Sequence, residues 1–183
     1  VAVKAGYVTK KDTISVTEDT EKTITMEKAP ESTRKDVSAA WKNFRNSDDN
    51  MGITSAKTPT SEATTYEKWF KKLGSGWGAA PSVQIIVDNS LIVMSANHIY
   101  KLDLNTGDIL QTGDMVAATN FGYTPPTYAD GMIFAPLADG RVQAFNAETL
   151  ESLWVYQDTL KGQSLSPITY SDGYIYTGFW NAE

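Results

Sequence analysis

The chain offers few residues that could do chemistry. Its one histidine, His98, sits in SANHIY, and a lone imidazole makes neither a His-based metal cluster nor, without a specific acid and nucleophile, a hydrolytic triad. Cysteine is absent, which removes disulfides, thiol catalysis and Cys-based zinc sites. Carboxylates that could act in pairs, Asp48-Asp49, Glu148 and Glu151, all fall in expected loops and read as solvated. DLNTGD, Asp103 to Asp108, has the look of a calcium loop, but Asp114 stands where the closing glutamate belongs. NSDDN, Ser47 to Asn50, is a better cation candidate, though a turn explains it as well. GSGWGAAP, Gly74 to Pro81, lacks the Lys-Ser/Thr of a phosphate loop. The sequence therefore assigns no catalytic residue, no metal and no cofactor.

Aromatic side chains remain. Trp77, Phe121, Tyr123 and Trp180, with Gln163 as a polar partner, fall near expected connections between sheets, where rings stack on sugars or anchor peptides. Packing between sheets competes as an explanation for each. The net charge of -6 and the scattered lysines and arginines leave no basic face for nucleic acid. No run of 18 apolar residues exists, and VAVKAGYVTKKDT lacks the apolar core of a signal peptide.

A repeat must position these residues. Asp88-Asn89, Asp130-Gly131 and Asp172-Gly173 stand 42 residues apart. Ile92 matches Phe134, and a one-residue gap at Asn97-His98 aligns Ile99 with Val142, Asp103 with Asn146 and Thr106 with Thr149. The second unit reads as four strands: Pro126 to Tyr128, Met132 to Pro136, Arg141 to Phe145 and Leu153 to Tyr156. SPITYSDGYIYTGFW reads as the first hairpin of a third unit. Four antiparallel strands in roughly 40–50 residues are the signature of a β-propeller blade, which must stack on neighbours to bury its faces.

AFNAETLESLW resembles the blade-closing motif of PQQ-like (quinoprotein alcohol dehydrogenase-like) propeller repeats, Ala-x-Asp-x-x-x-Gly-Lys-x-x-Trp. Ala144 and Trp154 match, while Asn146, Leu150 and Glu151 replace the Asp, Gly and Lys. YKLDLNTGDIL keeps Asp103 and Thr106-Gly107, with Gln111 at the tryptophan position. The resemblance implies a structural role for Asp103, Gly107, Ala144, Asn146 and Trp154, with the tryptophan between blades. WKNFRNSDDNMGIT is similar to an entry segment of secreted bacterial members, through Trp41, Phe44, Arg45, Gly52 and Thr54. TYEKWF around Trp69 then reads as an outer strand rather than a short helix.

The expected architecture is all-β: a partial propeller of four-stranded antiparallel blades, preceded by a β-hairpin. Residues 1–29 read as the tail of an immunoglobulin-like or carboxypeptidase-regulatory-like sandwich, with Ile14 and Val16 turned inward, and 30–40 as a linker. Residues 41–183 read as propeller: entry 41–79, blades 80–122 and 123–164, partial blade 165–183. As a whole this segment most resembles cell-surface proteins of gut-type Firmicutes, and the chain reads as a fragment of a longer one. Quinoprotein dehydrogenases of this likeness carry a vicinal Cys pair and calcium ligands, which argues against an enzyme here. The expected function is a non-catalytic binding or scaffold module of an exported bacterial surface protein, extracellular or at the cell surface. Its expected ligand is a glycan or a protein, and open blade faces suggest a homo-oligomer. The alternatives are a fragment of a PQQ-dependent redox enzyme and an envelope assembly scaffold.

Overall fold

Alternation of apolar and polar residues, broken by turn dipeptides, folds this chain into short antiparallel strands. The structure is a computed structural model, and it describes residues 10, 12–28, 36–119 and 124–181. The chain divides into two compact units, Val1–Thr33 and Arg34–Glu183.

In the first unit, residues 12–27 enter no strand, and Ile14 and Val16, expected to face inward, are exposed. The segment has too few apolar side chains to hold a hairpin by itself. Ties there are polar: Lys22 pairs with Asp12 at 2.5 Å, and Lys10 Nζ donates to the Thr25 carbonyl at 3.1 Å.

The second unit holds ten strands among its described residues. The first sheet orders β1 (Ile85–Val87), β2 (Ser90–Ser95), β3 (His98–Asp103) and β4 (Ile109–Asp114). The second orders β5 (Thr127–Ala129), β6 (Met132–Leu137), β7 (Arg141–Asn146) and β8 (Ser152–Gln157). A third holds only β9 (Thr169–Ser171) and β10 (Tyr174–Tyr176). The expected strands of the second unit agree to within one residue. The register also agrees: β2 and β6 begin 42 residues apart, while β3 and β7, past the Asn97 turn, begin 43 apart. The hairpin turns put Asp88, Asp130 and Asp172 at φ of 53, 50 and 50°, a left-handed conformation that Asp tolerates.

Two apolar layers stack the sheets. Ile85, Ile92, Met94 and Ile99 of the first sheet bury against Ile133, Ala135, Leu137 and Phe145 of the second. On the opposite face of the second sheet, Phe134, Val142 and Ala144 bury against Ile168, with Tyr170, Ile175 and Phe179 packed around them. Gln143 is the polar brace of the first layer. Its Oε1 accepts from the Val116 N–H at 2.9 Å, and its Nε2 donates to the Asp114 carbonyl at 3.2 Å and to Ser152 Oγ at 2.9 Å. A buried amide is tolerable because it is fully paired.

The approach to β1 departs from expectation. Residues 36–40, expected as part of a linker, lie against the first sheet. The Ser38 carbonyl accepts from the Asp88 N–H at 2.8 Å, and Val37 and Ala39 pack on the core. Trp41 forms a two-way bridge to Ile86, and the Lys42 carbonyl accepts from the Tyr128 N–H at 2.7 Å, so one segment spans both inner strands. Residues 65–70, TYEKWF, expected as an outer strand, enter no sheet. Instead Trp69 lies over the turn after β3, its Nε1 donating to the Leu104 carbonyl at 3.2 Å. No helix among the described residues is long and apolar enough to cross a membrane.

Candidate binding surface

The turns that close β3 and β7 show what the repeat motif does. Asp103 Oδ1 accepts from the N–H groups of Asn105 and Thr106 at 2.7 and 2.9 Å. Asn146 Oδ1 accepts from Glu148 and Thr149 at 2.8 and 3.2 Å. The task needs an acceptor oxygen, so Asn substitutes for Asp without loss of the turn. These two backbone bonds hold the Asp103 carboxyl below its ordinary range. With its oxygen already engaged, the DLNTGD turn is explained without a cation. In NSDDN, Asp48 accepts from Lys42 at 2.7 Å, and Asp49 accepts from Ser47 Oγ. No cluster of three or more His, Cys, Asp or Glu suited to a metal occurs among the described residues.

Gly107 and Leu150 hold one position in the two turns, both with left-handed φ, 73 and 56°. The identities differ because the neighbours differ. A Cβ on Gly107 would lie 2.5 Å from Trp69 Cε3, so the bulky ring demands a bare turn. Leu150 is buried, and its partner across the junction is Gly113, where a Cβ would lie 2.7 Å from the Leu150 carbonyl oxygen. Large and small thus change places between the two junctions. Lys101 completes the second one, donating to the Ala147 and Glu148 carbonyls at 3.2 and 3.3 Å.

His98 opens β3 rather than lying in the turn, and its Nδ1 is 3.0 Å from Asp114 Oδ1. Its Nε2 has no hydrogen-bond partner among the described residues, so the pair lacks the third member of a triad.

Of the aromatic candidates, Gln163 and Trp180 are brought together. The Gln163 N–H donates to the Trp180 carbonyl at 2.6 Å and the Trp180 N–H to the Gln163 carbonyl at 2.9 Å. Trp77 sits in the 3-10 turn Trp77–Ala79 and is 93% exposed. No hydrogen bond or ring contact among the described residues joins it to that pair. Phe121 and Tyr123 lie outside the described residues.

A surface missed by the sequence reading surrounds that pair. Every residue of β8 is exposed, including Leu153, Trp154, Val155 and Tyr156. Trp154, expected between blades, meets the Phe134 ring at 5.8 Å yet remains 39% exposed. Tyr156 stacks on Phe179 at 6.4 Å and is 52% exposed. Trp180 is likewise exposed, and Tyr174 and Tyr176 are exposed on the opposite face of the third sheet, since Ile175 between them packs on the second. The third sheet, expected as a lone hairpin, covers only part of the apolar face beneath it.

A second missed feature is a cleft of about 540 Å³ at the inner strands, lined by Asp36, Lys42, Asp48, Tyr128, Asp130 and Tyr170 among others. Tyr128 Oη donates to Asp36 Oδ1 at 2.6 Å and accepts from the Val37 N–H at 2.7 Å. Burial, then the Asp36 hydrogen bond, push its hydroxyl up to about 12. Tyr128 and Tyr170 recur 42 residues apart ahead of the Asp-Gly turns, a signal the sequence did carry.

Residues 61–179 match a family described as outer membrane protein assembly factor BamB. No curated protein matches the chain. Among solved structures, BamB from Moraxella catarrhalis is similar at 23% identity and a TM-score of 0.45, over 52% of this chain and 29% of that one. A europium-containing methanol dehydrogenase is similar at 22% identity and a TM-score of 0.38, over 54% of this chain and 22% of that one. The chain thus spans less than a third of either protein's length.

Proposed function

The chain belongs to the family described as outer membrane protein assembly factor BamB, and from that premise we propose that it is a non-catalytic, protein-binding scaffold module of an exported protein at the cell envelope. The observation that carries this reading is the aromatic surface of β8 beside the third sheet, where Trp154 and Tyr156 are 39% and 52% exposed. Half-exposed Trp and Tyr side chains side by side on a strand are common anchors of protein partners. The family description, an assembly factor, supports a partner that is itself a protein.

The test compares three ligand classes on the immobilised chain: extended peptides, soluble oligosaccharides, and quinone with calcium. The account expects saturable peptide binding, weakened roughly tenfold or more when Trp154 and Tyr156 are both changed to Ser. Oligosaccharide binding without peptide binding would overturn the protein-partner reading. Turnover of an alcohol with quinone and calcium would overturn the non-catalytic one.

A further inference from the structure

Strand β2 alternates its side chains between two faces. Ile92 and Met94 join the core shared with the second sheet. Leu91 and Val93 therefore turn the other way, together with Leu102, the partner of Leu91 across β3. Val93 and Leu102 are each only 2% exposed, although no sheet lies on that side among the described residues. What covers them is the segment 69–81 of the same chain.

That cover is tied at both ends. Trp69 Nε1 donates to the Leu104 carbonyl at 3.2 Å, and Ser95 Oγ donates to the Ala79 carbonyl at 2.7 Å. Between the ties it doubles back so closely that a Cβ on Gly74 would lie 2.5 Å from the Ala79 Cβ. The cover does not fill the space beneath it, and a cavity of about 250 Å³ remains. Its floor is Leu91, Val93 and Leu102, and its roof includes Trp69, Leu73 and Pro81. Every lining residue falls between 69 and 102, far from either end of the sequence.

Its polar side chains say what fits. Gln84 is engaged, donating to the Ser82 carbonyl at 2.8 Å. Lys71 and Lys72 are exposed, and neither makes a hydrogen bond or ion pair among the described residues. No carboxylate lines the cavity. On a chain of net charge -6, two unpaired cations beside apolar walls are complementary to an anion carried on a hydrocarbon chain. The volume keeps that chain short, since sites for drug-sized ligands begin at roughly 300 Å³.

We propose that this cavity binds a short aliphatic anion of the fatty-carboxylate class. The hydrocarbon chain lies between the Trp69 roof and the Leu91 and Val93 floor, and the carboxylate is held at the rim by Lys71 and Lys72. The site is separate from the Trp154 surface and does not depend on the protein-partner reading.

The probes are butanoate, hexanoate, octanoate and decanoate, with methyl octanoate as the uncharged control. Binding to the chain is followed by calorimetry and by the Trp69 indole N–H signal in NMR. Expected is saturable one-to-one binding that shifts the Trp69 signal. Affinity should rise about fourfold per added methylene until the cavity is full. It should fall about threefold or more for methyl octanoate, and equally for octanoate with the Lys71→Gln/Lys72→Gln double variant. Leu91→Trp, which fills the cavity from its floor, should abolish binding. The double variant alters only exposed side chains, so it tests the rim even where Leu91→Trp disturbs the sheet. Absence of saturable binding at millimolar ligand overturns the proposal. So does an affinity that ignores chain length, equal binding of octanoate and its methyl ester, or binding that leaves the Trp69 signal unmoved.

Discussion

Gly107 shows how one side chain dictates another at a distance in sequence. Its left-handed φ and the Trp69 ring over its Cα both exclude a Cβ. Gly107→Ala is expected to destabilise the chain by about 2–4 kcal/mol, from backbone strain plus displacement of the ring, read as a lower urea midpoint. Leu150 accepts the same backbone conformation because its side chain is core, a choice the sequence presents only as a departure from the repeat pattern. Tyr128 carries a pH prediction. Its hydroxyl is raised from the usual 10.0 to about 12. The unfolded chain therefore loses this proton first, and stability present below pH 10 is lost as pH climbs toward 12. Tyr128→Phe removes that contribution, so its stability should fall less steeply over this window, by about 1–3 kcal/mol. Equal slopes for the two proteins in alkaline urea titrations would contradict the burial and Asp36 bond assigned to Tyr128.

Strand-level differences between the repeats follow from single substitutions. In the first sheet the Met94 N–H donates to Ser82 Oγ at 3.0 Å, and the Ser82 N–H to the Met94 carbonyl at 2.8 Å. Thr124 and Pro136 occupy the matching places, 42 residues on, and proline has no N–H to give. Thr124 Oγ1 is buried without a partner among the described residues. Ser82→Ala should therefore cost about 1–3 kcal/mol by orphaning a buried donor, while Thr124→Val should be neutral or slightly stabilising. A comparable loss for both in thermal melts would refute the asymmetry. At this scale much was legible in advance. Period-two alternation and Asp-Gly turns placed β5 to β8, and the gap at Asn97-His98 set the register. The segment TYEKWF was not legible, because strand character requires a neighbour to bond with, and its tie to the body is instead a tryptophan over a distant turn. Residues 36–40 were misread as linker because their low apolar content hides backbone bonds to β1 that no side-chain pattern reports.

At the scale of the molecule, sheets stack through two apolar layers, and the second layer is only partly covered. The sequence named Trp180 and Gln163, and the structure joins them, but the neighbouring surface of Trp154 and Tyr156 emerges only from the stacking. The resemblance places Trp154 between blades because the repeat motif records a position, whereas its exposure depends on how much of the next sheet lies over it. The central claim, proposed above, is that Trp154 and Tyr156 meet a different protein rather than copies of the chain. Light scattering on the purified chain at micromolar concentration tests it most directly. The account predicts the mass of one chain, unchanged in the Trp154→Glu variant. A stable dimer that Trp154→Glu dissociates would contradict it, since the aromatic shelf would then be an interface between identical copies.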